Sequence, residues 1–326
     1  MKRANYILIL LCSLLALGCE VTPEVEIEKE ECAVLPAGGR ACACACVLDD
    51  KGYVFGGRDA DGNYLNDLWR YDPEADSWTQ AGVLPGPART NATMIAYEGC
   101  LYIGLGFVQG DVYVDNNYLR DWWRWDPKTN TWDSLAPYPD ATTIAAVPYV
   151  VEDRIYVIYG SSYSVSRQIN WYEPATDTWY QEEDDHNRAI SAFKPVGTQI
   201  QDQYFFGLGY NQKNLDQWYE VNFPENKWKV CTSMPGKGRT FSACSANDKH
   251  IFVFGGRHFA GEMTGGEVFA DVFRYTPSDD SWARGGTMPC GKAENMIAFT
   301  IQNIVYFGLG EDAEGQVIDQ IYRIDE

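Results

Sequence analysis

Three arginines, Arg40, Arg89 and Arg239, each stand four residues beyond a proline (Pro36, Pro85, Pro235), and two more, Arg58 and Arg257, each close the tetrapeptide Phe-Gly-Gly-Arg. A guanidinium is a rigid, always-charged fork that grips a carboxylate with two parallel hydrogen bonds. Brought together, these five would make an anion-binding mouth; left apart, they would brace neighbouring loops. Lys292 falls one residue short of the same spacing, and Arg188 lies near another such stretch. Connecting segments of the same kind carry Phe107, Tyr113, Tyr118, Tyr163, Tyr210, His258 and Phe259, beside Asp59, Asp61, Asp111, Asp115, Glu262, Glu311 and Asp312. Rings next to carboxylates suit a glycan, whose apolar faces stack while its hydroxyls find polar partners. They suit loop packing and solvated acids equally well.

Other chemistries find less support. The chain has 326 residues, 46 acidic against 26 basic side chains and a net charge of −20, so the Lys/Arg stripes that neutralise nucleic-acid phosphates are not available and no nucleic-acid partner is expected. Its three histidines, His186, His250 and His258, have no zinc-protease spacing. Phosphate loops, dinucleotide fingerprints and Gly-x-Ser-x-Gly elbows are missing, and no cofactor or metal is expected. Cys42, Cys44 and Cys46 alternate with alanines on what reads as a strand, so all three are expected on one face. That ladder is read as small apolar packing, with disulfides or a soft metal as alternatives. Cys32, Cys100, Cys231, Cys244 and Cys290 complete the eight cysteines beyond residue 19.

The N-terminus reads as an address. Met1, Lys2 and Arg3 give a basic start, Ile7 to Leu17 an apolar run too short to span a bilayer, and Leu17-Gly18-Cys19 a cleavage site. The stretch Leu15-Ala16-Leu17-Gly18-Cys19 resembles the bacterial lipoprotein signal, which implies residues 1–18 as leader, a lipid on Cys19 and residues 19–24 as tether. A cell-envelope location, on the periplasmic face or the surface, and membrane attachment through Cys19 would follow.

From residue 25 to 326 the chain repeats. Six aromatic-x-x-x-Gly segments end at Gly57, Gly106, Gly160, Gly209, Gly256 and Gly310, spaced 49, 54, 49, 47 and 54 residues apart. A second aromatic strand and a turn follow each, and Trp78, Trp132, Trp179, Trp228 and Trp282 lie a few residues beyond the first five turns. A period near 50 marks small sheets that bury their faces only against their neighbours. Glycine pairs after an apolar strand, a Tyr/Trp-rich strand and then a lone Trp resemble the kelch repeat. The resemblance implies an all-β, six-bladed propeller of four-stranded antiparallel blades, with almost no helix.

The sixth unit stops at Glu326, where its outer strand should begin. Cys32 to Arg40 matches Ala81 to Arg89, the stretch leaving one blade for the next, so residues 26–32 are expected to supply the missing strand, with Lys29 in the Trp position. In kelch propellers the ligand face is built by the loops entering strand one and joining strands two and three, which places Arg40, Arg58, Arg89, Arg239, Arg257, Tyr210, Phe107 and His258 at the channel mouth. The expected function is a non-enzymatic envelope protein binding a glycan or a protein partner at that face. The alternative is a sugar mutarotase or epimerase similar to bacterial N-acetylneuraminate epimerases, with the arginines as carboxylate clamp and Glu262 or Glu311 as proton carrier.

Overall fold

The computed structural model describes residues 22–111, 114, 117–139, 143–160, 168–183, 192–223, 225 and 227–326. The leader, Cys19, Tyr113, Asp115, Tyr163, His186 and Arg188 lie outside the described residues.

Short runs rich in β-branched and aromatic residues, separated by turns in which Asp, Asn, Glu or Gly takes positive φ, leave the chain little choice but tight antiparallel hairpins. Six four-stranded sheets result. The first runs Cys44–Leu48, Lys51–Phe55, Asp67–Asp72 and Ser77–Val83 in consecutive antiparallel order. The next four blades repeat that order, with inner strands Thr93–Tyr97, Val147–Val151, Val196–Ile200 and Ala243–Ala246. The sixth uses Ile297–Ile301, Ile304–Gly308 and Ile321–Ile324 and takes its outer strand, Glu30–Glu31, from the other end of the chain. The described residues form no α-helix. Apolar clusters fill the gaps between successive blades, including the gap from the sixth back to the first, where Cys32 and Leu35 meet Val54, Tyr71, Phe299 and Tyr306.

Ring closure follows the expected register. Glu30 lies opposite Arg323 and Glu31 opposite Tyr322. Continuing the ladder by one residue puts Lys29 opposite Ile324, the place that Trp78 holds opposite Tyr71 in the first blade. With no indole there, the Lys29 ammonium donates to the carbonyls of Ile27 (2.9 Å) and Gly285 (2.8 Å). The N-terminal segment docks earlier than the tether boundary suggests: the Arg284 amide donates to the Pro23 carbonyl and the Val25 amide to the Arg284 carbonyl.

A recurrent clasp joins the blades at their outer edge. In the first, Asp76 Oδ1 accepts from the Ala33 amide (2.8 Å) and the Tyr71 hydroxyl (2.6 Å), while the Trp78 indole donates to the Ala33 carbonyl (2.9 Å). Asp177, Tyr172 and Trp179 hold Ala136 in the same way. Asp280, Tyr275 and Trp282 hold Thr232. Each clasp seizes the chain just after it leaves the preceding blade's outer strand. Burial, then the adjacent Asp76 carboxylate, pushes the Tyr71 phenol up, which keeps it a donor.

The first clasp is the one that closes the circle. Asp76→Ala is expected to cost about 1–3 kcal/mol, the penalty for taking its acceptor from the hydroxyl of the buried Tyr71, and to speed amide exchange at Cys32, Ala33 and Leu35. Asp177→Ala, between blades already joined through the chain, should disturb only its own gap. Equal, local loss of protection in both variants, read by hydrogen exchange, would show that closure is not the weaker seam.

Candidate functional site

Each blade enters its inner strand through one residue held in the left-handed backbone region: Cys42, Asn91, Ala145, Lys194, Phe241 and Asn295, with φ between 46° and 61°. Non-glycine residues pay for that conformation, and asparagine tolerates it best. Hydrogen bonds linking these residues offset the strain. The Asn91 amide donates to Cys42 O (2.9 Å), Ala145 to Asn91 O (2.9 Å), Asn295 to Phe241 O (2.9 Å) and Cys42 to Asn295 O (3.1 Å). The six form a ring at one mouth of the channel and line a cavity of about 210 Å³. Below it the inner strands enclose a wider section of about 530 Å³ that includes Thr93, Thr198, Ser245 and Thr300.

A polar chain crosses this mouth. Lys194 reaches from the fourth blade over the Phe241 ring, with its ammonium 4.5 Å from the ring centroid. The ammonium donates to Asn295 Oδ1 and to Cys42 Sγ (3.4 Å). Asn295 Nδ2 donates to Glu311 Oε1 (2.8 Å), and Arg58 Nη2 donates to Glu311 Oε2 (2.5 Å). Alongside it, Arg257 Nε and Nη2 grip Glu294 at 2.6 to 3.0 Å. The hydrogen bonds that Glu294 accepts first, and the charges of Glu294 and Glu311 against the cost of burial, raise the Arg257 pKa. Arg58 and Arg257, from the first and fifth blades, thus flank a sixth blade that presents Glu294 and Glu311 as a strand pair.

The other three arginines are not at the mouth. Arg40, Arg89 and Arg239 are at most 1% exposed. Each makes a bidentate pair with the aspartate at or just before its own blade's third strand: Arg40 with Asp67 (2.7 and 3.0 Å), Arg89 with Asp121 (2.5 and 2.7 Å), Arg239 with Asp271 (2.5 and 3.3 Å). Each also donates to the carbonyl of the residue just before the blade's final loop glycine: Gly56, Leu105 and Gly255. They brace the entry loop against the blade, and their guanidinium groups are consumed in doing so. In the repeat register the third, fourth and sixth blades carry Thr143, Ala192 and Ala293 there, all buried, while Lys292 is exposed.

The expected aromatic face separates into two packed groups. Phe107 is buried against Tyr118 (5.0 Å) and Tyr64 (6.5 Å). Tyr210 meets Phe259 edge-on at 5.6 Å, and Phe259 in turn meets Phe241 at 5.5 Å, which ties this second group to the mouth. His258 is half-buried, with Nδ1 2.7 Å from the Gly238 carbonyl. Asp59 and Asp312 shape their own loops by accepting backbone amides, while Asp61, Asp111 and Glu262 are exposed.

The cysteine ladder breaks at its first member. Cys42 has φ 58° and belongs to the mouth ring, whereas Cys44 and Cys46 lie on the inner strand and pack between the first and second blades. Burial pushes the Cys44 thiol up to about 12 and raises Cys46 well above the ordinary thiol value. All eight described cysteines are free, and no three metal-ligating side chains gather among the described residues.

Lys194, Asn295, Asn91 and Phe241 were missed by reading motifs. The signal lay in the repeat register, two residues beyond each brace position: Arg40 to Cys42, Arg89 to Asn91, Arg239 to Phe241.

Residues 22–205 match the KLHDC2/KLHL20/DRC7 Kelch-repeats domain and residues 238–289 the Kelch motif. Kelch-like protein 25 of Xenopus tropicalis is 26% identical over 73% of this chain and 39% of its own length. N-acetylneuraminate epimerase of Pasteurella multocida is 24% identical over 78% of this chain and 62% of its own. The solved structure of YjhT superposes with a TM-score of 0.74 at 16% identity, covering 89% of this chain and 96% of that one. The chain spans about two fifths of the length of the Kelch-like relatives it matches.

The brace residues carry a stability prediction with a defined pH sense. Burial pushes the Asp67 carboxyl up, but the Arg40 hydrogen bonds and charge, helped by the Trp69 indole, outweigh it and hold the pKa below the ordinary 3.8. A depressed carboxyl contributes stability in full above its unfolded value and loses it as pH falls through the folded value. Wild-type stability should therefore drop as pH falls below about 4, and Asp67→Asn should flatten that part of the profile. Arg89→Ala, which leaves a partly buried Asp121 unpaired, should cost about 3–5 kcal/mol in denaturant unfolding. Arg89→Met with Asp121→Leu should recover much of the loss, whereas a double variant as unstable as the single would deny the brace its charge-pair origin.

Proposed function

We propose, from the premise that this chain belongs to the Kelch-repeat family, that it is a non-enzymatic binding module of a bacterial cell envelope, lipid-anchored through Cys19, with a glycan or a protein partner held at the channel mouth. The observation that carries this reading is the crossing chain of Lys194, Asn295, Glu311 and Arg58 over a cavity of about 210 Å³. It brings an ammonium and an amide to the cavity wall beside the Phe241 ring, with the Glu311 carboxylate and the Arg58 guanidinium hydrogen-bonded behind the amide. Hydroxyls and a carboxylate on a sugar would exchange for these internal partners group by group, so polar desolvation is recovered on binding. Arg58 and Arg257 are the two arginines of the expected clamp that remain at this face, already paired with Glu311 and Glu294. A ligand carboxylate therefore meets Lys194 first. The basic, apolar and cysteine-terminated start of the chain supports export and lipidation.

A second reading is favoured by the relative from Pasteurella multocida, an N-acetylneuraminate epimerase aligned over 78% of this chain. Interconverting sugar anomers requires a proton donor and a proton acceptor near the ring oxygen and the anomeric hydroxyl, and no metal. Glu311, hydrogen-bonded at the mouth and 13% exposed, is the carboxyl best placed to carry a proton there. Glu262 lies on an exposed loop outside the polar chain.

Retention of acidic glycans on an array by the mature protein, followed by calorimetry on the best of them, tests the first reading. Lys194→Ala and Asn295→Ala should each weaken binding about tenfold or more, the equivalent of one charge-assisted hydrogen bond. No retained glycan, together with no partner after crosslinking in cells, would remove support for it. Exchange of sialic acid anomers measured by NMR separates the second reading: acceleration by wild type that Glu311→Gln abolishes would make the protein an enzyme.

A further inference from the structure

Cys42 and Lys194 stand three blades apart in a ring of six, on opposite sides of the channel mouth, yet the lysine side chain spans the opening and donates to the cysteine sulfur at 3.4 Å. The ammonium lies over the Phe241 ring and is fixed again by Asn295 Oδ1. Both residues are part-exposed and line the cavity. An amine and a thiol are thus held against each other across the axis by side chains of two other blades. Reactive cysteines sit accessible and beside cations, whereas inert ones sit in apolar burial. Cys44, Cys46 and Cys244 are of the inert kind, packed between blades with burial pushing their thiols up.

We infer that Cys42 and Lys194 form a redox-controlled crosslinking site, in which peroxide oxidises the thiol and the lysine amine captures the product as a sulfenamide that bars the channel mouth. In the first step the Cys42 sulfur attacks one oxygen of hydrogen peroxide, the O–O bond breaks, and a sulfenic acid and one water form. In the second, the Lys194 amine, having lost its ammonium proton to solvent, attacks the sulfenic sulfur. The S–O bond breaks, the hydroxyl leaves with an amine proton as water, and an S–N bond remains. Thiol, amine and one peroxide become sulfenamide and two waters. Sulfur is oxidised by two electrons and peroxide is reduced by two. An external thiol reverses the reaction by reducing the S–N bond.

The bond itself depends only on the geometry of these two side chains; its effect on ligand entry rests on the reading of the mouth given above. The assay is accordingly a mass measurement that needs no ligand. Purified protein treated with hydrogen peroxide and digested should yield one peptide pair joining Cys42 to Lys194, lighter by about 2 Da than the sum of its parts, the two hydrogens lost in the S–N bond. The pair should form faster as pH rises and disappear on treatment with a thiol. Lys194→Arg keeps the charge and the reach but cannot close the bond, so Cys42 in that variant should remain a sulfenic acid that dimedone traps. Cys44→Ser with Cys46→Ser should crosslink as wild type does. The inference is overturned if wild type and Lys194→Arg give the same dimedone adduct with no joined peptides, or if Cys42 is recovered in a disulfide with Cys44.

Discussion

The wheel depends on blades taking hold of the chain that has just left the blade before, as the first, third and fifth do. The turn aspartate and the tryptophan do this with two hydrogen bonds to one residue's amide and carbonyl, seen at Ala33, Ala136 and Thr232, and the tyrosine hydroxyl donates to the same aspartate. The tryptophan ring fills the wedge between sheets while its N–H is satisfied, so a large buried side chain leaves no orphaned donor. At Ala33 the same device acts on a segment that belongs to the N-terminus, and it holds in place the short strand that completes the sixth blade. The outer edge thereby fixes the radius and register of the wheel.

The hub is a consequence of that closure. All six entry residues share left-handed φ, and backbone hydrogen bonds join five of them in an arc from Phe241 through Asn295, Cys42 and Asn91 to Ala145. A glycine one step away permits the close approach. A Cβ at Gly256 would lie 2.7 Å from the Thr240 carbonyl, and at Gly57 2.7 Å from that of Ala41. The backbone of the ring is uniform, so the side chains at its six positions are free to differ, and they do: a thiol, two amides, a methyl, an ammonium and a phenyl ring. Repetition builds the frame, and departures from repetition place the chemistry.

That division explains what could be read from the sequence. The blade count, the strand order, the seam at the sixth blade and the Lys29 substitution all follow from features that recur every fifty residues or so, and recurrence is visible without coordinates. Arg40, Arg89 and Arg239 were visible for the same reason, and recurrence was what misled. A side chain repeated in half of the blades is placed to serve the repeat, and each finds its aspartate within the same blade, at the third strand's start. At the ring positions lysine appears once and asparagine twice, neither carries a motif, and Lys194 and Asn295 become meaningful only when separate blades converge on them. Cys42 was visible as the first rung of a ladder, but a single φ of 58° rotates it off the strand face, and nothing in the alternation of alanine and cysteine announces that rotation.

The charge arrangement at the mouth shows why the sixth blade differs most from its neighbours. The first and fifth blades place an arginine after the glycine pair, and the sixth places Glu311 at that register, hydrogen-bonded to Arg58 and electrostatically within reach of Arg257. Glu294, 4% exposed, adds a second carboxylate on the partnering strand. A buried acid beside a part-buried one would repel it and resist ionisation if left alone. Flanking arginines from both adjacent blades remove that penalty, so the acidic pair is tolerable only in a blade that has an arginine blade on each side. In a wheel of six, the seam blade, between the chain's first unit and its fifth, is where this chain meets that condition. The blade that depends most on the N-terminal strand is therefore also the one that contributes Asn295, Glu294 and Glu311 to the mouth, which couples the integrity of ring closure to the electrostatics of the site.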